Sequence, residues 1–458
     1  MSAPLLLQEF ERGFAALPPA RRDAAGLGSA RREQLAAALA DGLPGARAER
    51  WRHTSLRALE RRAFSLLPAA SAADSLTDEL AAAKARDPDF AAGWAGLLLG
   101  LERSGMPCIV FVNGIFSPVL SRLDALPEGV TVMPLSQALD AGDVRDVEFL
   151  ARRFTAADET FARLNGAFAL DGAMIQVSAG VQYAAPVALV LLGAPGPDGH
   201  DHAVHVRNHV ALGDGARLTL CEYQLAASSQ AHLVNGITHV HLRRDARLDH
   251  VRVQDEDPGA TLLTRTDAVL GSAADYRRVD LELGANLSRH ELNVALLGHA
   301  ARLSAGGVLL ADGRRHVDTR LQIDHAARDT ACALTWRGLG ADRGRAVFHG
   351  GITIRAGADG TAAHLSNKNL LLSAHAEIDT QPVLEIHADE VQASHGATVG
   401  RLDDAALFYL RSRGVPEHEA RALLTLAFCR VVLDGIADPR VRDQIDALLS
   451  ARLPQVTA

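Results

Sequence analysis

Lysine is nearly absent from this chain of 458 residues: only Lys84 and Lys368 carry it, and arginine supplies nearly all other positive charge. Neither lysine stands in a GxxxxGK loop followed by Ser or Thr, which excludes nucleotide hydrolysis by that route. Positive charge is short overall as well, with 47 Lys and Arg against 55 Asp and Glu and a net charge of −8. No global basic field exists to hold phosphate backbones or anionic lipids, so nucleic acid and membrane surfaces are not expected partners. Long apolar runs are missing too. The longest, Val187 to Gly193, falls far short of the roughly 20 residues of a membrane helix. The first 17 residues interleave Leu5, Leu6, Leu7, Phe10 and Phe14 with Gln8, Glu9, Glu11 and Arg12, an amphipathic pattern without a basic start and apolar run. They are not a signal peptide, and a cytoplasmic protein is expected.

Cysteine is sparse. Cys108, Cys221, Cys332 and Cys429 lie far apart with no CxxC pair, so no self-contained four-cysteine cluster site is offered, and reduced, mostly buried thiols are expected. No GxSxG, HExxH or GxGxxG stands in the strand and helix context its chemistry requires, and the carboxylates are scattered without a convincing acid/base pair. What remains is a composition 48% hydrophobic and 22% charged, that of a chain that folds.

Three regions separate by periodicity. Residues 1–165 read as a helical or mixed α/β domain: Ala30 to Ala40 is a short helix stopped by Gly42 and Pro44, and Pro107 to Phe116 is a buried strand with Asn113-Gly114 at its end. From 166 to 400 the helical period vanishes and short alternating or apolar runs are punctuated by turn residues, a strand-only pattern. A phrase recurs within it. Ala216-Arg217-Leu218, Ala246-Arg247-Leu248, Ala274-Asp275-Tyr276 and Ala301-Arg302-Leu303 follow one another at steps of 30, 28 and 27 residues, each just after a turn. Those steps fit one coil of a β-helix better than the roughly 40-residue blade of a propeller. From 401 to 458 the helical pattern returns: Asp403 caps a helix ending at Gly414, and Pro416 starts a second with an apolar stripe of Ala420, Leu423, Leu424, Ala427, Phe428 and Val431. Asp438-Pro439 opens a third, with Val441, Ile445, Leu448 and Leu449 on one face. The predicted fold is mainly β, a solenoid flanked by helical N-terminal and C-terminal domains.

Histidine is in excess where other chemistry is lacking, with 17 of the 19 lying between His200 and His395. A pair at i, i+2, such as His239 and His241 or His200 and His202, shares one strand face and could hold a metal. A solvated or stacked solenoid face explains the same pattern. His387 and His395 share strand parity, yet eight residues of extended chain span about 26 Å at roughly 3.3 Å per residue, too far for one metal unless the chain folds back. From the residues alone three readings stay open: a scaffold, a histidine-rich metal store, and a solenoid enzyme such as a carbohydrate-active enzyme or acyltransferase.

Several phrases resemble the SufD family of the SUF iron-sulfur cluster assembly machinery, in order and in spacing. They are Trp51-Arg52-His53-Thr54-Ser55-Leu56, Phe111-Val112-Asn113-Gly114, His316-Val317-Asp318-Thr319, Gly350-Gly351-Ile352, and the run from Ser366 through Asn367, Lys368 and Asn369 to Ser373. Pro382-Val383-Leu384-Glu385-Ile386, Ser394-His395-Gly396-Ala397-Thr398-Val399-Gly400 and Phe408-Tyr409-Leu410-Arg411-Ser412-Arg413-Gly414 complete the set. Coverage runs from about Arg50 to Val432 and is densest after Arg315. The paralogous SufB proteins tend to read Glu-His-Glu-Ala-Thr around the histidine, which favours SufD. The resemblance implies a right-handed parallel β-helix between helical domains, and a non-catalytic scaffold working in complex with a SufB-like paralogue and the ABC-type ATPase SufC. It also implies support of nascent cluster formation and iron supply, with no cofactor bound stably by this chain alone and iron or a cluster held transiently in the complex. Self-association as a homodimer is expected of the isolated chain. The implied SufB-side interface is Ser394, His395, Gly396, Ala397 and Thr398, with His395 a candidate metal or nascent-cluster ligand or its neighbour. The implied SufC-docking helices present Phe408, Tyr409, Arg411, Arg413, Leu424 and Phe428. Two departures stand out: Ala393 occupies a place where relatives often carry cysteine, and His387 follows Leu-Glu-Ile where tyrosine is usual.

Overall fold

A computed structural model describes residues 4–66, 72–86, 93–124, 126–142, 148–196 and 199–453. From Ala173 onward its strands form a parallel β-solenoid with helices before and after it, successive strands falling alternately in two sheets. Contact density divides the chain into two compact units.

The first unit comprises residues up to Ala211 together with Tyr223–His241 and Glu256–Asp267. Its helices form where apolar spacing provides a face to bury. In Leu5–Ala16 the stripe Leu6, Leu7, Phe10 and Phe14 is buried, and Phe10 and Phe14 meet Phe168 of helix Thr160–Phe168 at ring separations of 5.3 and 5.6 Å. Helix Gly28–Asp41 begins two residues before the predicted span and stops at Gly42, whose φ of 74° a β-carbon would disfavour. The run expected as one strand from Pro107 to Phe116 is instead a hairpin: Cys108–Val112 pairs antiparallel with Ile115–Phe116. Asn113 and Gly114 both have positive φ (49° and 78°), the requirement of a tight two-residue hairpin turn. Cys108–Val112 also pairs in parallel with Gln182–Gly193, and the apolar run Val187 to Leu192 is buried throughout.

The second unit comprises Leu212–Glu222, Leu242–Asp255 and the chain from Ala268 onward. Here the solenoid is regular. Strands Asp275–Glu282, Arg302–Ala311, Ala331–Gly340, Ala362–Leu371 and Gln392–Gly400 stack in one sheet; Leu287–Leu296, His316–His325, Arg345–Ile354 and Glu377–Ile386 stack in the other, all parallel and unshifted in register. The recurring phrase is the register mark itself. Arg247, Asp275 and Arg302 are partners in neighbouring strands, and so are Leu248, Tyr276 and Leu303. The turn before each phrase stacks as well. Gly215, Asp245, Ala273, Ala300, Asp329 and Gly360 all have positive φ, and each donates its N–H to a carbonyl in the next coil at 2.7–3.1 Å.

Three helices close this unit. Asp403 accepts from the Ala405 N–H at 2.9 Å and starts Asp404–Ser412, Pro416 precedes Glu417–Arg430, and Asp438 caps Pro439–Arg452. The middle helix sits differently from its apolar stripe. Ala420, Thr425 and Cys429 are buried, whereas Leu423 and Val431 are 51% and 44% exposed. The cause lies beneath it: Val432 and Gly435 fit against the sheet, where a β-carbon at Gly306 would lie 3.2 Å from Val432 Cγ1 and one at Gly435 3.2 Å from Val279 Cγ2. That contact fixes the rotation and turns Leu423, Ala427 and Val431 outward.

Candidate functional site

The last coil, Glu377–Ile386 followed by Gln392–Gly400, carries the expected site residues. In the coil beneath it Ala363, Leu365, Asn367 and Asn369 are buried and alternate with exposed or half-buried neighbours, so this parity faces the interior. Register places Ala393, His395, Ala397 and Val399 directly over them. His395 therefore tops an interior column that runs Ala305, Leu334, Leu365, His395. Where its predecessors are buried, His395 is exposed. The facing strand behaves alike, with Leu384 half-buried and Ile386 exposed over the buried Ile352 and Ile354. An interior surface thus stands open at this end, largely apolar but carrying the His395 imidazole and the Thr380 hydroxyl.

Polar groups lock this coil to the one below. Asn369 donates to the Thr398 carbonyl at 3.0 Å, and Thr380 to the Asn367 side-chain oxygen at 2.7 Å. Ser394 lies 2.8 Å from His364 Nδ1 on the outer face. Gly396 also faces outward, and a β-carbon there would meet nothing within 4 Å. His387 and His395 are not joined by extended chain: the backbone bends at Asp389 and Glu390, and His387 pairs outward with Glu385 at 2.9 Å. The nearest histidine in register is His364, one position off and so on the opposite face. Among the described residues no group of three or more His, Cys, Asp or Glu side chains could hold a metal ion.

Of the remaining 16 histidines seven are buried and four half-buried, and five are exposed. In the first unit, burial lowers His205 to about 3 and His209 to about 4, and His239 lies well below the ordinary range for the same reason. His239 and His241 share a face, but Arg207 donates to His239 Nε2 at 3.1 Å, occupying the lone pair a metal would need, while His241 is exposed. In the second unit His316, His325 and His349 are each lowered to about 4, chiefly by burial. His250 sits between Glu222 (3.2 Å) and Tyr276 (3.0 Å), inside a wholly buried network in which Arg278 pairs with Asp280 at 2.8 Å and Arg252 with Glu282. The four cysteines form no disulfide and are buried; the Cys332 and Cys429 thiols are pushed up to about 12 by burial, which leaves them unreactive.

The second exposed region is on the terminal helices. Phe408 is 74% and Tyr409 57% exposed, and helix Asp404–Ser412 buries no residue. Arg413 lies over the Tyr409 ring at 5.2 Å and Arg411 pairs with Glu417 at 3.4 Å. Leu424 and Phe428 are half-buried, Phe428 lying under the Arg337 guanidinium at 5.4 Å, so Leu423 presents more apolar surface than either.

The described residues thus make a parallel β-solenoid with an open terminal coil and three helices after it. The family model for the SUF system FeS cluster assembly SufBD core domain matches residues 196–428, half of the chain and nearly all of its regular coils. The chain belongs to the SufBD family of iron-sulfur cluster assembly proteins, and within it to the SufD type. It is 29% identical to the iron-sulfur cluster assembly protein SufD of Escherichia coli over 92% of both chains. It is 30% identical to a SufBD family protein of Synechocystis sp. over 75% of this chain and 77% of that one. A SufBD family protein of Mycobacterium tuberculosis is 35% identical over 45% of this chain and 54% of its own length. No helix among the described residues is long and apolar enough to cross a membrane.

Proposed function

We propose that this chain is a non-catalytic, cytoplasmic scaffold subunit that builds clusters only in complex: its last coil continues into the matching coil of a SufB-like chain, and its terminal helices dock a SufC-type ATPase. The observation that carries the reading is the open end of the solenoid. Val383, Ile386 and Val399 are 38–43% exposed there, and the strand Gln392–Gly400 has a partner on one edge only. An unpaired edge over an apolar interior is a template for strand addition by another chain. His395, at the centre of that surface, would then face the partner and offer a neutral imidazole or a hydrogen bond to a nascent cluster. Iron and sulfide are cargo in this scheme, and the remaining ligands come from the partner. Nucleotide-driven closure of the ATPases would reach the solenoid through helices that Arg421, Val432 and Arg452 tie to it.

The test is His395→Ala assayed in the whole reconstituted complex. Cluster yield is expected to fall at least tenfold, on the order of the loss of one ligand or charge-assisted bond, with assembly and ATPase activity intact. Wild-type cluster yield would reduce His395 to a structural residue. Hydrogen exchange in the same complex reports on the interface: the amides of Val383 to Val399 are expected to gain protection, and unchanged exchange would place the partner elsewhere.

A further inference from the structure

The two strands that end the solenoid expose edges of different kinds. Strand Glu377–Ile386 is the last of its sheet and Gln392–Gly400 the last of the other, so each has a neighbour on one side only. In a parallel ladder a residue sends its N–H and C=O to the same side, and successive residues alternate between sides. The residues that bond downward therefore fix which ones face the free side.

Glu377 donates to the Gly344 carbonyl at 3.0 Å and His387, just past the strand, to the Ile354 carbonyl at 2.8 Å, both in the coil beneath. The odd-numbered residues are thus committed, and the free edge belongs to Ile378, Thr380, Pro382, Leu384 and Ile386. Proline has no N–H, and within a sheet it is tolerated where that donor would face away from the ladder. Pro382 stands at the centre of this edge. It costs the fold no hydrogen bond, yet it takes the middle donor away from any strand added there, and its ring occupies the place of the missing hydrogen.

In Gln392–Gly400 the parity is reversed and the edge is whole. Gln392 donates to the Thr361 carbonyl at 2.9 Å, and the Thr398 carbonyl turns down to accept from the Asn369 side chain at 3.0 Å. Even-numbered residues face the coil beneath, which leaves the N–H and C=O groups of Ala393, His395, Ala397 and Val399 along the free edge in an unbroken row.

We propose that Pro382 is a specificity-determining residue of the open end. It bars a continuous strand from Glu377–Ile386, so an incoming strand pairs over its full length only with Gln392–Gly400. A second copy of this chain, which brings the same interrupted edge, is thereby held back from closing both sheets at once. The inference rests on strand addition at the open end as the mode of docking, and adds which of the two edges accepts the strand.

The experiment restores the donor. Pro382→Val, with Pro382→Ala as the smaller replacement should valine disturb the coil, is compared with the wild-type full-length chain by sedimentation equilibrium. Self-association is expected to tighten about five- to a hundredfold, the worth of one carbonyl no longer left unpaired. Hydrogen exchange of the associated variant should show new protection at Thr380 and Leu384. Self-association no tighter than that of the wild type, up to the highest soluble concentration and in both variants, would overturn the proposal. The converse substitution separates it from the docking reading on which it rests. Ala397→Pro removes an edge donor from Gln392–Gly400 without touching the ladder beneath, so the urea midpoint should hold while affinity for a SufB-like chain falls at least tenfold. Unchanged affinity would sink docking by strand addition, and Pro382→Val on the isolated chain would still decide for or against Pro382.

Discussion

At the corner where the second unit's coils stack, two residues one position apart from each other's neighbour play opposite parts. Gly298 lies so close to the preceding coil that a β-carbon would sit 2.0 Å from the Ser272 backbone nitrogen, a separation no side chain tolerates without the coils moving apart. Ala300, at φ 58°, has the reverse problem: it occupies the left-handed region that only glycine adopts without cost. Gly298→Ala should therefore destabilise the protein by about 2–3 kcal/mol through overpacking against backbone. Ala300→Gly should be neutral or stabilise by up to about 1 kcal/mol, the left-handed strain relieved exceeding the entropy added to the unfolded chain. Urea midpoints of the two variants check this, and a destabilised Ala300→Gly would mean that the methyl group packs more than the strain costs. The same corner explains why the repeated phrase could be read at all. The small residue that opens each phrase follows directly on the left-handed turn, so the turn's backbone demand and the interior position of the next residue recur together in every coil.

Among the helices, the sequence stripe and the buried face diverge, and the divergence can be measured. Ile445 is fully buried, and Ile445→Ala should cost about 2–5 kcal/mol. Leu423→Ala, despite equal hydrophobicity, should change stability by no more than about 0.5 kcal/mol, because half of that side chain already faces water. Comparable losses for both would show the middle helix to be rotated toward its sequence stripe. If the outward face docks an ATPase subunit, Leu423→Asp should weaken that association while leaving the fold intact. How much was legible at this scale follows from what each feature depends on. Caps at Asp403 and Asp438 and the stop at Gly42 were readable because they need only local backbone chemistry. The Asn113-Gly114 turn was visible as a dipeptide, but the two-residue return strand after it was too short to show a period. The rotation of Glu417–Arg430 depends on Gly306 and Val279, more than a hundred residues earlier, and no periodicity within the helix contains it. His395 was identifiable from its phrase, whereas its inward parity became evident only once Leu365 was known to lie beneath it.

Across the whole molecule, the histidine excess that suggested metal binding from sequence becomes a statement about acid stability. His205 in the first unit and His325 in the second are both buried and both held far below the usual histidine range, at about 3 and about 4, with desolvation the largest cause in each. His325 spends Nδ1 on Thr330 at 2.8 Å and Nε2 on Cys332 at 3.3 Å, and no carboxylate is among these contacts to favour a proton. A depressed folded-state value means that the unfolded chain binds more protons than the native one between about pH 6.5 and 4. The stabilising contribution is therefore complete above about 6.5 and is lost as pH falls through that window, at up to about 1.4 kcal/mol per pH unit for each such group. The buried carboxylate Glu222 acts lower: held down to about 2 by His250 and two arginines despite its burial, it keeps its contribution until the pH falls below the ordinary glutamate range. Urea midpoints are accordingly expected to be flat from pH 8 to 7 and to decline steeply between 6.5 and 4. His325→Asn, lower in overall stability, should show a shallower decline in that interval because one proton-binding difference has been removed. A midpoint that stays level down to pH 4.5 in the wild-type protein would mean that the buried imidazoles accept protons in place, and that the interior carries compensating charge near them.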